Sequence, residues 1–300
     1  MKPRDFFILM LVCFIWALNL VVSHVVLMTY AVPPFYYAAV RFFMVALMLS
    51  PLLKPVPPQF GWILVISFLI GAGHFGLLFL GLSLASPSSS SIVLQLGVPL
   101  TAILSIIILG EKISLIRATG IVLSVLGVLV VMWDPRGFEA SFGLLFIVAS
   151  TACISLGGIL LKRIFMIKPL RLQAWVSLLS FGPLGLVSLF FEQGQLTASF
   201  NAGWVLIGGL VFSAVVVTGW SHTTWYGLLQ RYEANFISPL TLAMPLMTIG
   251  LGVTLTGDHF DLRMALGTVV AIIGILIVIK APGRAMTVVE PEAVIESSRA

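Results

Sequence analysis

The stretch Ser91-Ile92-Val93-Leu94-Gln95-Leu96-Gly97-Val98-Pro99-Leu100-Thr101 returns later in the chain as Ile237-Ser238-Pro239-Leu240-Thr241-Leu242-Ala243-Met244-Pro245-Leu246-Met247, with Pro99 over Pro245. Working outward, and after one inserted residue, Leu109-Gly110-Glu111 falls on Thr256-Gly257-Asp258, Gly120 on Gly267 and Gly127 on Gly274. Upstream, Gly61-Trp62 matches Gly203-Trp204, and Gly81-Leu82 matches Gly227-Leu228. Isolated glycines also serve close helix packing. Prolines, glycines and acids in one shared order mark an internal duplication.

Composition says where the duplicated unit resides. The chain has 300 residues, 60% hydrophobic and only 9% charged, with 11% aromatic, a mean hydropathy of +1.15 and a net charge of +5. A soluble domain carries roughly 25% charged residues, so an integral membrane protein is expected. One spanning helix needs about 20 apolar residues. Runs of that kind occur near 6–28, 35–53, 60–82, 90–109, 115–133, 142–161, 172–191, 204–228, 234–255 and 263–280. They are continuous rather than alternating, so helices and not a β-barrel are predicted. Turn-forming residues punctuate them at Val32-Pro33-Pro34, Lys54-Pro55-Val56-Pro57-Pro58, Ser86-Pro87, Asp134-Pro135-Arg136-Gly137 and Thr256-Gly257-Asp258. The first run is too long for the apolar core of a signal peptide and is read as a span.

Threading ten helices alternately gathers thirteen of the sixteen basic residues on one face: Lys2, Arg4, Lys54, Lys112, Arg117, Lys162, Arg163, Lys168, Arg171, Arg231, Lys280, Arg284 and Arg299. The positive-inside rule then makes both termini cytoplasmic. The basic residues are scattered rather than clustered, which argues against nucleic acid as a partner. Cys13 and Cys153 lie in apolar runs and indicate neither a disulfide framework nor a zinc site.

The repeat unit holds five helices, an odd number, so the second copy must enter the membrane from the opposite face. The predicted fold is an all-α membrane protein of ten transmembrane helices in two inverted five-helix repeats, residues 1–134 and 135–280, with a polar, acidic cytoplasmic tail over 281–300. Secondary transporters are built this way, with a site near the midplane that alternates its exposure.

Phe14-Ile15-Trp16-Ala17-Leu18-Asn19, Ala39-Val40-Arg41-Phe42, and Leu109-Gly110-Glu111-Lys112-Ile113 leading to Gly120 and Gly127 resemble the EamA-type transporters of the drug/metabolite transporter superfamily. The resemblance covers about residues 5 to 280. Gly76-Leu77-Leu78-Phe79 running into Ser90-Ser91-Ile92-Val93-Leu94-Gln95, with Leu228-Leu229-Gln230-Arg231-Tyr232-Glu233, is similar to bacterial exporters of O-acetylserine, cysteine and related amino acids. The second repeat departs where Asp258-His259 stands for Glu111, and Ser86-Pro87-Ser88 is an unusual helix start. The resemblance implies an inner-membrane exporter of amino acids or related small metabolites. The alternatives are a superfamily member with another substrate, such as a drug-like compound or nucleotide sugar, and a non-transporting membrane scaffold.

Polar residues in hydrocarbon are costly and face the bundle interior. Trp16, Asn19 and Ser23 share one face of helix 1; Ser88, Ser91, Gln95 and Pro99 share one face of helix 4; Asn235, Ser238, Thr241, Pro245 and Thr248 repeat that spacing in helix 9. Helix 6 adds Thr151, Ser155 and Gly158, helix 3 adds Gly71, His74 and Phe75, and helix 8 adds Thr218, Trp220, Ser221, His222, Thr224, Trp225 and Tyr226. The substrate-binding candidates are Trp16, Asn19, His74, Phe75, Gln95, Pro99, Ser155, Trp220, Thr224, Thr241 and Pro245. For each hydroxyl the plain reading is a bond to its own or a neighbouring helix. Pro99 and Pro245 each free a carbonyl one turn back, as a ligand or only as a kink. His74 either meets a substrate carboxylate and titrates, or is a neutral histidine satisfied by its neighbour. His24 near the outer end, and Trp62 and Trp204 at helix starts, read as interfacial. Arg41 lies within a span, either attracting anionic groups or snorkelling outward while fixing helices.

Asp258, Asp261, Glu111, Glu192 and Glu233 all stand near helix ends, which leaves histidine as the titratable option if protons are the coupling ion, beside uncoupled facilitation. Gly71-Ala72-Gly73-His74-Phe75-Gly76 fits a dinucleotide fingerprint only by letter, because it sits inside a span. Neither a P-loop lysine motif nor a metal-binding or nucleophile motif occurs, so no cofactor is expected and no enzyme.

Overall fold

A computed structural model describes residues 1–110, 114–133, 138–161, 167–232 and 238–280. Glu111-Lys112-Ile113, Asp134 to Gly137, Lys162, Arg163, Glu233, Asn235 and the expected tail lie outside these residues. The described chain forms apolar helices without a strand: α1 (Pro3–Thr29), α2 (Pro34–Met48), α3 (Phe60–Leu82), α4 (Pro87–Ile108), α5 (Leu115–Met132), α6 (Phe142–Leu161), α7 (Pro169–Phe191), α8 (Gln195–Trp225), α9 (Leu240–Thr256) and α10 (Leu262–Lys280). Eight of them are long and apolar enough to cross a bilayer, and α2 and α9 are shorter. Helices satisfy every backbone group internally, as hydrocarbon requires. Their outer faces stay apolar, with Ile107, Leu189, Phe191, Phe200 and Trp204 largely exposed. On a water-soluble protein that surface would aggregate.

Local chemistry sets the helix ends. Pro3, Pro34, Pro87 and Pro169 occupy first-turn positions, where no amide is lost. Ser86 and Ser114 cap α4 and α5 by accepting from Ser89 N and Arg117 N. Gly110 and Gly257, matched across the duplication, both take left-handed φ (67° and 69°) and stop α4 and α9.

The Asp258 departure in the second repeat and the unusual Ser86-Pro87-Ser88 helix start in the first explain each other. The Asp258 carboxylate accepts from Ser88 N at 2.9 Å and from Ser88 Oγ, so the acid ending α9 caps the start of α4. A second carboxylate does the same for α2: Glu192, after α7, accepts from Phe35 N (2.8 Å) and Tyr36 N (2.9 Å). Negative charge at a helix N-terminus is favourable. At the other end of the bundle, Tyr232 donates to Asp5 in the first turn of α1 (2.6 Å), and Arg171 donates to the Pro55 carbonyl.

Helix α5 lies along α10 and α2 along α7, while α1 packs on α8 and α9, and α6 on α3 and α4. The α5–α10 seam is the tightest. A Cβ added at Gly127 would stand 2.3 Å from Ala271 N and 2.7 Å from Gly267 O, and one at Gly120 would stand 2.8 Å from Gly274 O. The run Gly71 to Gly76 is likewise a packing surface: Gly71 abuts Ser180, Gly73 abuts Cys153 and Gly76 abuts Leu184.

Three differences from the expected spans have a local cause. Helix α4 starts at Pro87, three residues early, because Ser86 caps it. Helix α8 starts at Gln195, because a short segment precedes a break at Gly203 (φ 48°, ψ −123°), a backbone only glycine adopts readily. The expected α4 cylinder is interrupted at Gln95-Leu96, one turn before Pro99, whose ring cannot sit over a regular turn.

Candidate functional site

Four helices carry wide i→i+5 turns: Val25–Thr29, Phe68–Gly73, Phe212–His222 and Gly252–Thr256. Such turns are rare and concentrate at functional sites. Those in α3 and α8 flank one buried polar cluster.

The cluster begins at Asn19 on α1, whose Oδ1 accepts from Ser213 Oγ at 2.6 Å. Ser213 Oγ is 3.3 Å from Tyr37 Oη, which is 3.4 Å from Ser23 Oγ, so α1, α2 and α8 share one chain of hydroxyls and an amide. One turn along α2 lies Arg41, 2% exposed and the largest fully buried side chain. Its guanidinium stands 4.6 Å from the Phe75 ring centroid and 5.8 Å from that of Phe79. Nη2 makes one long contact to Thr218 Oγ1 (3.4 Å), and Nη1 has no hydrogen-bond partner among the described residues. The snorkelling alternative is therefore excluded. Helix α2 places Arg41 at its centre, with the charge turned into the bundle.

His74, on α3 beside Phe75, is held by α6. Ser150 Oγ donates to the His74 carbonyl (2.8 Å) and stands 2.8 Å from Nδ1. The hydroxyl has one proton and gives it to that carbonyl, so Nδ1 carries a hydrogen toward Ser150. Phe75 packs edge-on against Phe42 and His74. Trp16 contacts His222 and Trp225, with centroids 5.6 and 5.7 Å apart, and its buried Nε1 is unpartnered. His74 and His222 both lie within electrostatic reach of Arg41.

Of the residues expected from sequence, Trp16, Asn19, His74 and Phe75 thus meet around the face shared by α1, α2, α3 and α8. Gln95 is half-buried at the α4 break, and its carbonyl accepts from Val98 N in a tightened turn. Buried Ser155 donates to Gly97 O of that break at 3.3 Å, which makes it a brace between α6 and α4. Pro99 and Pro245 are buried, and Thr224 and Thr241 are half-buried. Trp220 is 41% exposed and is not among the aromatics packed around Arg41. His24 donates to the Leu82 carbonyl at the end of α3. Sequence reasoning did not single out Arg41, Tyr37, Ser150 or Ser213 as site residues. For Arg41 the available signal was its solitary charge in a span.

A cleft of about 580 Å³ opens at the end of the bundle that bears the basic residues, lined by Lys54, Lys168, Arg171, Leu52 and Thr223. Among the described residues no group of His, Cys, Asp or Glu side chains is arranged to hold a metal ion.

The model of the EamA-like transporter family matches residues 5–133 and 141–280, nearly the whole chain and both halves. The chain belongs to the EamA-like transporter family. It is 29% identical over 290 residues to a probable amino-acid metabolite efflux pump of Salmonella typhimurium strain LT2, covering 92% of this chain and 95% of that one. The counterpart of the same description in Escherichia coli K12 is 28% identical over the same shares. An uncharacterized transporter of Archaeoglobus fulgidus is 27% identical over 199 residues, 65% of this chain and 68% of that one. A protein of known crystal structure shares the fold, with a TM-score of 0.57 over 91% of this chain and 94% of that one at 20% identity. Family and relatives describe a multi-pass membrane transporter of small molecules rather than an enzyme.

Proposed function

We infer that this EamA-like protein is a secondary exporter of amino acids or related small metabolites across the cytoplasmic membrane. Ten helices cross it as two inverted five-helix repeats, 1–134 and 135–280, with both termini and the 281–300 tail in the cytoplasm. The α5–α10 seam supports inversion. The duplication maps Gly120 to Gly267 and Gly127 to Gly274, and the contacts pair Gly120 with Gly274 and Gly127 with Gly267. The mapping therefore exchanges one contact for the other, as a two-fold axis in the membrane plane requires. Lys2, Lys54, Lys168 and Arg171 at one end support the cytoplasmic assignment.

The observation that carries the reading is the polar cluster itself. It is assembled from α1, α2 and α3 of the first half and α6 and α8 of the second, at the junction that rocks when repeats alternate. Substrate binds against Trp16, Asn19, His74 and Phe75, with Gln95 and Thr224 lining the path, and a rocking of the halves exposes it to either side. The clamps at Glu192 and Asp258 close one end of the bundle, and the basic cleft opens at the other. Among the described residues no carboxylate reaches the cluster, so a cationic drug has no counter-charge there. Efflux of labelled amino acids from loaded cells tests the assignment. Faster loss than from empty-vector cells, slowed by Gln95→Ala, is the expected result, and equal rates across the panel would refute export of those compounds.

A further inference from the structure

Arg41 remains unexplained by the fold. A charged side chain at the centre of a membrane helix costs roughly 2.5–3.5 kcal/mol even by insertion scales, and native structures offset such a charge with a partner. Here the partners are two aromatic faces and one 3.4 Å hydroxyl contact, with Nη1 bonded to nothing. A desolvated cation–π contact contributes on the order of 2 kcal/mol, and it uses the face of the guanidinium while leaving the in-plane N–H donors free. Four carboxylates are engaged at helix ends: Asp5 by Tyr232, Glu192 by α2, Asp258 by Ser88, and Asp261 by the Met264 amide.

We propose that Arg41 is the specificity-determining anchor of the transport site, donating from its unpaired guanidinium edge to a carboxylate of the substrate. The proposal rests on the exporter reading and narrows it to carboxylate-bearing compounds. A planar fork matches a carboxylate with two parallel bonds, and Phe75 holds the guanidinium plane so that this edge is preset. Thr218, whose hydroxyl donates to the Ser213 carbonyl at 3.0 Å, fixes the other nitrogen and ties the anchor to the Asn19–Ser213–Tyr37 chain. Filling the anchor thus touches α1, α2 and α8 together, across the two halves.

The test compares each labelled amino acid with its carboxamide, in efflux from loaded cells and in thermal stabilisation of the purified full-length protein. Wild type is expected to prefer acid over amide by at least about tenfold, the loss that accompanies an unpaired buried charge. Arg41→Gln and Arg41→Lys should bring the ratio to near one for Gln and to an intermediate value for Lys, which keeps charge but lacks the fork. Phe200→Ala, on an exposed surface away from the guanidinium, should retain the preference and serves as the folded control. An unchanged preference in Arg41→Gln overturns the anchor while leaving export standing. Arg41-dependent stabilisation by the acids without efflux supports the anchor and refutes export. A wild type indifferent to acid and amide in both assays overturns the anchor whatever else it exports. Should Arg41→Gln fail to fold, Arg41→Lys decides: an acid preference equal to that of wild type overturns the proposal.

Discussion

The α5–α10 seam and the cluster around Arg41 both join the two halves of this protein, and they are built on opposite principles. In the seam, four glycines bring backbones together until no Cβ fits. The buried hydroxyls there, Ser124 and Thr268, bond the Ile121 and Met264 carbonyls of their own helices. In the cluster, large side chains hold the helices apart, wide turns break the α-helical ladder, and two N–H donors, Arg41 Nη1 and Trp16 Nε1, stay unsatisfied. The seam has no unused bonding capacity and can act as a fixed hinge support. The cluster has capacity that only a third party can use. In hydrocarbon that asymmetry separates scaffold from site.

The contrast breaks most visibly at Gly127. Gly127→Leu pushes a side chain into the Ala271 backbone, which no rotamer change relieves. A loss of more than about 3 kcal/mol is expected, read as disappearance of the monodisperse, folded species in detergent. Survival with an unchanged melting temperature would mean that the seam is loose. Asn19→Ala leaves the Ser213 hydroxyl without its acceptor and costs about 1–3 kcal/mol, with a lowered melting temperature and slower efflux. A stability loss with transport intact would assign the cluster to structure alone.

Sharper still is a cycle at the outer clamp. Asp258→Asn and Ser88→Ala should each cost about 1 kcal/mol, as lost helix caps do, and less than the sum together, because they share one interaction. Strict additivity would show that the contact contributes nothing. The smallest effect belongs outside both regions. Phe200→Ala, on an exposed surface, should shift stability by no more than about 0.5 kcal/mol. A larger loss would place Phe200 in an interface.

Much of the scaffold could be read from the residues, because membrane helices carry their signal in composition. The apolar runs, the seam glycines and the Gly110 and Gly257 stops all follow from rules with a single outcome. Asn19 and His74 were legible for a similar reason, since an amide or imidazole in hydrocarbon must find partners. Arg41 was not, because a long side chain near mid-helix can turn either outward or inward, and only the neighbouring helices decide. Ser150 and Ser213 look like any membrane serine until His74 and Asn19 are set beside them. The segment before Gly203 escaped notice because its mixed composition lacks the apolar run that defines a span.

Alternating exposure of the cluster, against a seam that never opens, is most directly measured by cysteine accessibility. In a protein carrying Cys13→Ser and Cys153→Ser, the two free thiols of the described chain being removed, Gln95→Cys and Ser124→Cys are labelled by a membrane-impermeant maleimide from each side of oriented vesicles. The expected result is that Gln95→Cys reacts from both sides and is protected by transported amino acids, while Ser124→Cys reacts from neither. Reaction of Gln95→Cys from one side only during active efflux, or labelling of Ser124→Cys, would contradict it.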